Sequence, residues 1–365
     1  MKILILSTNA DEAGAPRHVE AIVNGLESEF QFVLVFGEDG PVCDRLKKRG
    51  HIVHVVSEMR TAINPAKDFV ALLKILKLIL NYGPDIVHCH SAKAGMLGRI
   101  SAFLCGRKWL YTVHGWGWRG VSIFAKILII SIEFVLSKIP NGFYIFVAQD
   151  VKNDALDVLR INVRKGVVVY NGVSPIIADF PSTGDTLNVL MPARVSSAKD
   201  HQSLICAFEN INDPNMRLLL CGKDTDKQEF IEFAKALAPA TNGLISFLGQ
   251  RSDIHNIYSQ SHIVALISNF EALPLSIIEA MSCSRSVIAT DVGGIPELIV
   301  SGVNGILVRP NCVDDIVAAL NNFKDERLRA KLGSQAKITY EEKFTEYSML
   351  MSVTHTYKTL GGGLK

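Results

Sequence analysis

Cysteine is scarce in this sequence and shows no pattern. The seven residues (Cys43, Cys89, Cys105, Cys206, Cys221, Cys283 and Cys312) are odd in number, scattered, and never spaced as CxxC. That excludes a disulfide framework and a zinc ribbon, and it fits a reducing compartment. Neither half of the chain opens on a GxGxxG fingerprint, which counts against a dinucleotide oxidoreductase. Long apolar runs are missing too. The longest, 69–80 and 121–136, are broken by Lys74 and Lys77, and by Lys126 and Glu133. Neither reaches the roughly 20 apolar residues of a membrane span. The opening run 2–6 is too short for a secretory signal, so none is expected. Net charge is only +2.

That small net charge is unevenly spread. Residues 60–140 hold 11 Lys and Arg against 3 Asp and Glu, in the most apolar part of the chain. A basic, apolar surface suits an anionic membrane. The plainer reading is solvated lysines on helices that cover a sheet. Nucleic acid is not expected as a partner, because the basic residues alternate with Leu and Ile and form no polar arm.

With 365 residues, 48% of them hydrophobic, the chain can fill the cores of two domains of about 150 residues each. Apolar, β-rich runs at 2–6, 32–36, 51–56, 86–90, 109–113, 143–147 and 167–170 alternate with helical stretches near 17–29, 65–82, 94–105, 122–138 and 150–159. Continuous apolar strands between helices predict a parallel, doubly wound sheet. Residues 171–186, with Asn171-Gly172, Pro175, Pro181 and Gly184, read as a linker. A second alternation follows, with strands at 188–191, 217–221, 244–248, 263–267, 287–289 and 306–308. Its helices fall near 201–209, 227–238, 253–260, 275–281, 314–323, 326–342 and 346–360. The expected fold is α/β, with two Rossmann-like doubly wound domains at 1–170 and 187–345. They are expected to face across a cleft at the carboxyl ends of their strands, where such sheets bind ligands.

The most informative stretch is 268–310. Glu271 and Glu279 stand eight residues apart with Pro274 between them. Proline suits the first turn of a helix, so a helix is placed from Pro274, with Glu271 in the loop before it and Glu279 inside it. First-turn amides and the helix dipole then favour a phosphate, while the carboxylates favour hydroxyls. Upstream, Arg194 and Lys199 flank a small-residue loop after a strand, and two cations there can neutralise a diphosphate. Asp224-Thr225-Asp226 reads as helix capping in preference to a metal site. In the first half, Gly14 and Ala15 form a loop that permits close backbone approach. His114 opens His-Gly-Trp-Gly-Trp at a strand end, where Trp116 could meet a sugar face. His88 and His90 share one strand face, but no third ligand is in view, so no metal site is expected.

Taken in order, these pieces resemble the retaining glycosyltransferases of family 4, of GT-B architecture, over nearly the whole chain. The resemblance rests on Gly14, residues 85–91, 112–116 and 170–173, Arg194 with Lys199, the Glu-x7-Glu of Glu271 and Glu279, and Gly293-Gly294-x-x-Glu297. His90-Ser91-Ala92-Lys93-Ala94-Gly95 is similar to the branch that builds O-antigen, capsule and other lipid-linked glycans. It implies a hexose or N-acetylhexosamine, GalNAc foremost, moved from a UDP-sugar onto a lipid-diphosphate-linked sugar acceptor, with no cofactor. It also implies a cytoplasmic protein bound peripherally to the inner face of the membrane, with helix 346–360 crossing back to the first domain. Catalysis would fall to His114, Arg194, Lys199 and Glu271. Donor binding would add Gly14, Gly222, Arg251, the Ala272, Leu273, Pro274 and Leu275 segment, and Glu279. Arg17, His18, His90, Lys93 and Trp116 would meet the acceptor. Ala272 departs from the family pattern, which has glycine there. A nucleotide-sugar epimerase of the same architecture and a non-catalytic nucleotide-sugar-binding protein stand as alternatives.

Overall fold

A computed structural model describes residues 1–60, 64–179 and 186–362. Its contacts divide the chain into two compact units, Met1–Asn171 together with the last helix, and Gly172–Thr345.

The first unit alternates β1 (Lys2–Ser7), α1 (Gly14–Leu26), β2 (Gln31–Phe36), α2 (Pro41–Lys48), β3 (Ile52–Val55), α3 (Pro65–Tyr82), β4 (Ile86–His90), α4 (Ala92–Leu104), β5 (Lys108–Val113), α5 (Ile123–Leu136), β6 (Gly142–Phe146), α6 (Gln149–Asp157) and β7 (Gly166–Val168). The seven strands run parallel in the order β3-β2-β1-β4-β5-β6-β7. Every residue of β4 is buried, which is why its run is continuously apolar apart from two histidines. Helix α4 lies directly on this sheet. A methyl at Gly98 would collide with Cys89 and Leu6, so only glycine permits the approach.

Helices α3 and α5 flank α4, and each is tied to it by a buried ion pair. Lys93 Nζ on α4 lies 2.8 Å from Asp68 on α3. Arg99 on α4 donates to both carboxylate oxygens of Glu133 on α5 at 2.9 Å. These are the attachments the two helices need, because each turns much of its apolar side outward. Of α5, only Glu133 and Leu136 are buried. The last helix, α14 (Glu346–Gly361), packs on α1 and sends the Tyr357 hydroxyl to His88 Nδ1 at 2.6 Å.

The second unit holds β8 (Leu187–Pro192), α7 (His201–Ile211), β9 (Met216–Cys221), α8 (Gln228–Leu237), β10 (Ile245–Gly249), α9 (Ile254–Ser259), β11 (Ile263–Leu266), α10 (Leu275–Ser282), β12 (Ser286–Thr290), α11 (Ile295–Leu298), β13 (Ile306–Val308), α12 (Val313–Asn322) and α13 (Glu326–Lys343). Its six parallel strands run β10-β9-β8-β11-β12-β13. The expected α/β fold of two doubly wound sheets is therefore present, with every expected strand. Helices α2 and α11 were not expected. Part of the anticipated linker packs on the second unit: Tyr340 donates its hydroxyl to Val173 O at 3.0 Å, and Ile176 N donates to Ser282 Oγ at 3.2 Å. Residues 180–185 of that linker lie outside the described residues.

Candidate active site

Each sheet has a point where its strand order reverses, and there the loops of neighbouring strands diverge to leave a crevice. In the second unit this point lies between β8 and β11. The loop after β8 is zipped to the loop after β11. Asp200 N donates to Ile267 O at 2.9 Å, and Asn269 N to Ala198 O at 2.8 Å. The zipper brings Lys199 against Glu271 as a direct ion pair, with Ser268 Oγ 2.7 Å from the same carboxylate oxygen. An ammonium has three donors, so this pairing leaves capacity for a ligand oxygen. Arg194 stands exposed on the same loop. Ser196 Oγ is buried there and has no hydrogen-bond partner among the described residues. The motif reading did not single out Ser196, because one serine in a Ser-Ser pair carries no sequence signal.

Gly222, at φ 151°, donates its N–H to Gly249 O at 2.8 Å. It lies so close under Ala193 and Arg194 that a side chain would collide with their backbone. Arg251 is exposed and forks onto Asp253 through two bonds of 2.7 Å. Helix α10 begins one residue after Pro274, and no side chain caps its first turn. Glu279 is 3% exposed inside that helix, with Oε2 3.0 Å from the Tyr258 hydroxyl. Arg285 is buried below, donating to Tyr258 O at 2.9 Å. Tyr258 and Arg285 escaped the sequence reading because neither belongs to a motif.

One expectation needs correction here. Asp224 and Asp226 do not cap α8, whose N-cap position is Lys227 with no side-chain cap. Asp224 instead sits at φ 70° and pairs with Lys227 at 2.9 Å.

The first unit has its own switch point between β1 and β4. There Thr8 Oγ1 lies 2.5 Å from Ser91 Oγ, and Thr8 N donates to the same oxygen. Ser91 holds φ 69° and ψ 157°, a region ordinarily reserved for glycine. Such strain costs roughly 1–3 kcal/mol and concentrates at functional sites. Four histidines gather beside it. His88 and His90 lie on β4, His18 on α1, and His114 just beyond β5. His88 is engaged on both nitrogens, by Tyr357 and by Thr112 Oγ1 at 2.8 Å. His90 Nδ1 is 3.0 Å from His114 Nε2. Burial holds the His18 imidazole down at about 4 against the opposing effect of Asn171. Burial, then neighbouring histidines, holds His90 and His114 well below the ordinary value. The sequence reading found no third ligand beside His88 and His90. The fold groups His90 instead with His18 and His114, which arrive from distant segments, and leaves His88 out.

Gly14 is the exposed first residue of α1, with Arg17 in its first turn. Two expected acceptor contacts are engaged elsewhere. Lys93 holds Asp68, and Trp116 is 5% exposed, stacked on Trp118 at 4.5 Å, with its indole N–H donated to Val151 O.

The chain matches the family Glycosyltransferase Family 4 over residues 13–175 and the family Glycosyl transferases group 1 over residues 175–339. The chain is a glycosyltransferase of the GT-B type. This glycosyltransferase is 26% identical over 318 residues to the Escherichia coli UDP-Gal:alpha-D-GlcNAc-diphosphoundecaprenol alpha-1,3-galactosyltransferase, covering 82% of this chain and 81% of that one. It is 26% identical to the Escherichia coli O-antigen biosynthesis glycosyltransferase WbnH, covering 88% of this chain and 92% of that one. Among solved structures, Anabaena Alr3699/HepE in complex with UDP and glucose has a TM-score of 0.83 at 21% identity, covering 98% of this chain and all of that one. A Rickettsia africae glycosyltransferase has a TM-score of 0.80 at 23% identity, covering 98% of each chain. At these identities the structural likeness establishes the fold.

Proposed function

We propose that this glycosyltransferase retains configuration and moves a galactose-configured sugar from UDP in α linkage onto a polyprenyl-diphosphate-linked glycan, in O-antigen or capsule assembly. The observation that carries the proposal is the Lys199, Glu271 and Ser268 constellation at a sheet switch point, beside the uncapped first turn of α10. It offers cations and amides to a diphosphate and a carboxylate to sugar hydroxyls. The nucleotide and lipid-linked partners follow the relatives' names, HepE with UDP and the galactosyltransferase of diphosphoundecaprenol.

The departing UDP gains negative charge as the bond from the anomeric carbon to its phosphate oxygen breaks. Arg194, Lys199 and the α10 amides stabilise that charge. The acceptor hydroxyl attacks the same carbon from the same face, and its proton passes to the leaving phosphate. Glu279 holds the ribose, Glu271 the sugar hydroxyls, His114 the C6 hydroxyl, and Arg251 lies by the base. Arg17, His18 and His90 receive the acceptor. No metal is required at the diphosphate, because two cations and a helix terminus balance it.

The lipid-linked acceptor is met at a membrane-facing surface formed by α3 and α5. Phe124 is 82% exposed and Leu80 71%, among lysines 67, 74, 77 and 126. Exposed apolar side chains set between lysines suit the surface of an anionic bilayer, and among the described residues no helix is long and apolar enough to cross a membrane.

The test offers UDP-Gal, UDP-GalNAc, UDP-Glc and UDP-GlcNAc, each with EDTA, to a synthetic polyprenyl-diphosphate sugar. Product mass gives the sugar, and the anomeric proton coupling gives the linkage. An α-linked product with Gal or GalNAc is expected. A β-linked product, or donor isomerised without acceptor, would overturn the reading.

A further inference from the structure

We infer that His18, His90 and His114 form a binding site for a divalent transition-metal ion of the zinc type. Ring nitrogens of all three lie within 4.8 Å of one another, and no other such group of His, Cys, Asp or Glu occurs among the described residues. The three rings come from α1, the end of β4 and the loop after β5, so the fold of the first unit assembles them. Their centroids are 4.9 to 5.6 Å apart.

Two features favour an ion over simple packing. His90 and His114 bring two ring nitrogens to 3.0 Å. Tetrahedral zinc with bonds of about 2.0–2.1 Å places its ligand nitrogens about 3.3 Å apart, so this pair needs to part by only a few tenths of an ångström. His18 has further to travel and closes by rotation of its side chain. Second, the other ring nitrogen of His90, Nε2, is buried with no hydrogen-bond partner among the described residues, so no second hydrogen bond holds the ring against an ion at Nδ1. His88 is excluded, because Tyr357 and Thr112 occupy its nitrogens. Asn171 lies against His18 and is placed to fix its ring, as outer-shell groups do for metal-bound histidines. Three imidazoles leave a fourth position for water.

A bound ion would hold His114 away from the sugar and His18 and His90 away from the acceptor. On the function proposed above, such an ion is therefore an inhibitor and not a cofactor.

The test titrates Zn²⁺ and Co²⁺ into tag-free, full-length protein. Calorimetry should show one ion per chain, and Co²⁺ should give the intense visible bands of a tetrahedral nitrogen site. His18→Gln, His90→Gln and His114→Gln should each weaken binding by at least about tenfold, a loss near 1.4 kcal/mol. His54→Gln, outside the cluster, should leave it unchanged. Circular dichroism establishes that each variant is folded, and the Co²⁺ spectrum of the unaltered chain needs no variant. No saturable binding, octahedral Co²⁺ bands, or equal binding by folded cluster variants would overturn the site. Saturable binding with transfer unaffected would overturn the inhibition alone.

Discussion

Lys199 and Glu271 show how a motif becomes chemistry. They stand 72 positions apart, yet two zipped loops make them an ion pair with a serine hydroxyl on the shared oxygen. Under the proposed function, Lys199→Ala should lower kcat by about 10²–10³, the usual cost of losing one preorganised donor to a developing charge. Steady-state kinetics on a folded variant checks this, and an unchanged kcat would remove Lys199 from the reaction. Thiols give a second check. Burial pushes Cys43 and Cys221 up to about 11, and Cys89 and Cys283 up to about 12. These four should resist a disulfide reagent in the native protein and react on unfolding; rapid native reaction of any of them would contradict its placement. At this scale position was legible where residues stood in a motif: Glu271 falls in the loop before α10, Glu279 inside it, and Arg194 and Lys199 in the loop after β8. It was opaque for buried charge. Arg99, Glu133 and Arg285 are buried, where charge is seldom found, and only packing shows their partners.

Strands were the most legible elements. Sheets covered on both faces demand continuous apolar runs, and every such run became a strand. Helix α2 was hidden because its eight residues include four charged ones and bury only Val42, Cys43 and Leu46. Helix α11 was hidden because four residues carry no period. The helices of the basic region depend on their buried ties. Glu133→Gln leaves Arg99 buried without its counter-charge and should cost about 3–5 kcal/mol, read as a lower urea midpoint. An unchanged midpoint would show that α5 is held by other contacts. The outward face of α5 should behave in the opposite way. Phe124→Glu and Ile127→Glu should leave the melting temperature unchanged, since both side chains are exposed, while reducing sedimentation with vesicles containing anionic lipid. Undiminished sedimentation would move the membrane contact elsewhere.

At the scale of the whole molecule, each unit brings its chemistry to the carboxyl end of a parallel sheet, at the point where strand order turns. The sequence allowed that general expectation, since two successive strand-and-helix alternations imply two such sheets. It did not allow the histidine cluster, whose members are numbered 18, 88, 90 and 114 and meet only once β1, β4 and β5 lie side by side. Under the proposed function, the donor diphosphate binds the second unit between the loops that follow β8 and β11. Calorimetric titration of UDP into the full chain and into Lys199→Ala and Glu279→Ala tests this most directly. UDP should bind the full chain, and each substitution should weaken binding by at least about tenfold, or 1.4 kcal/mol. UDP binding of equal strength to both folded variants would contradict the account.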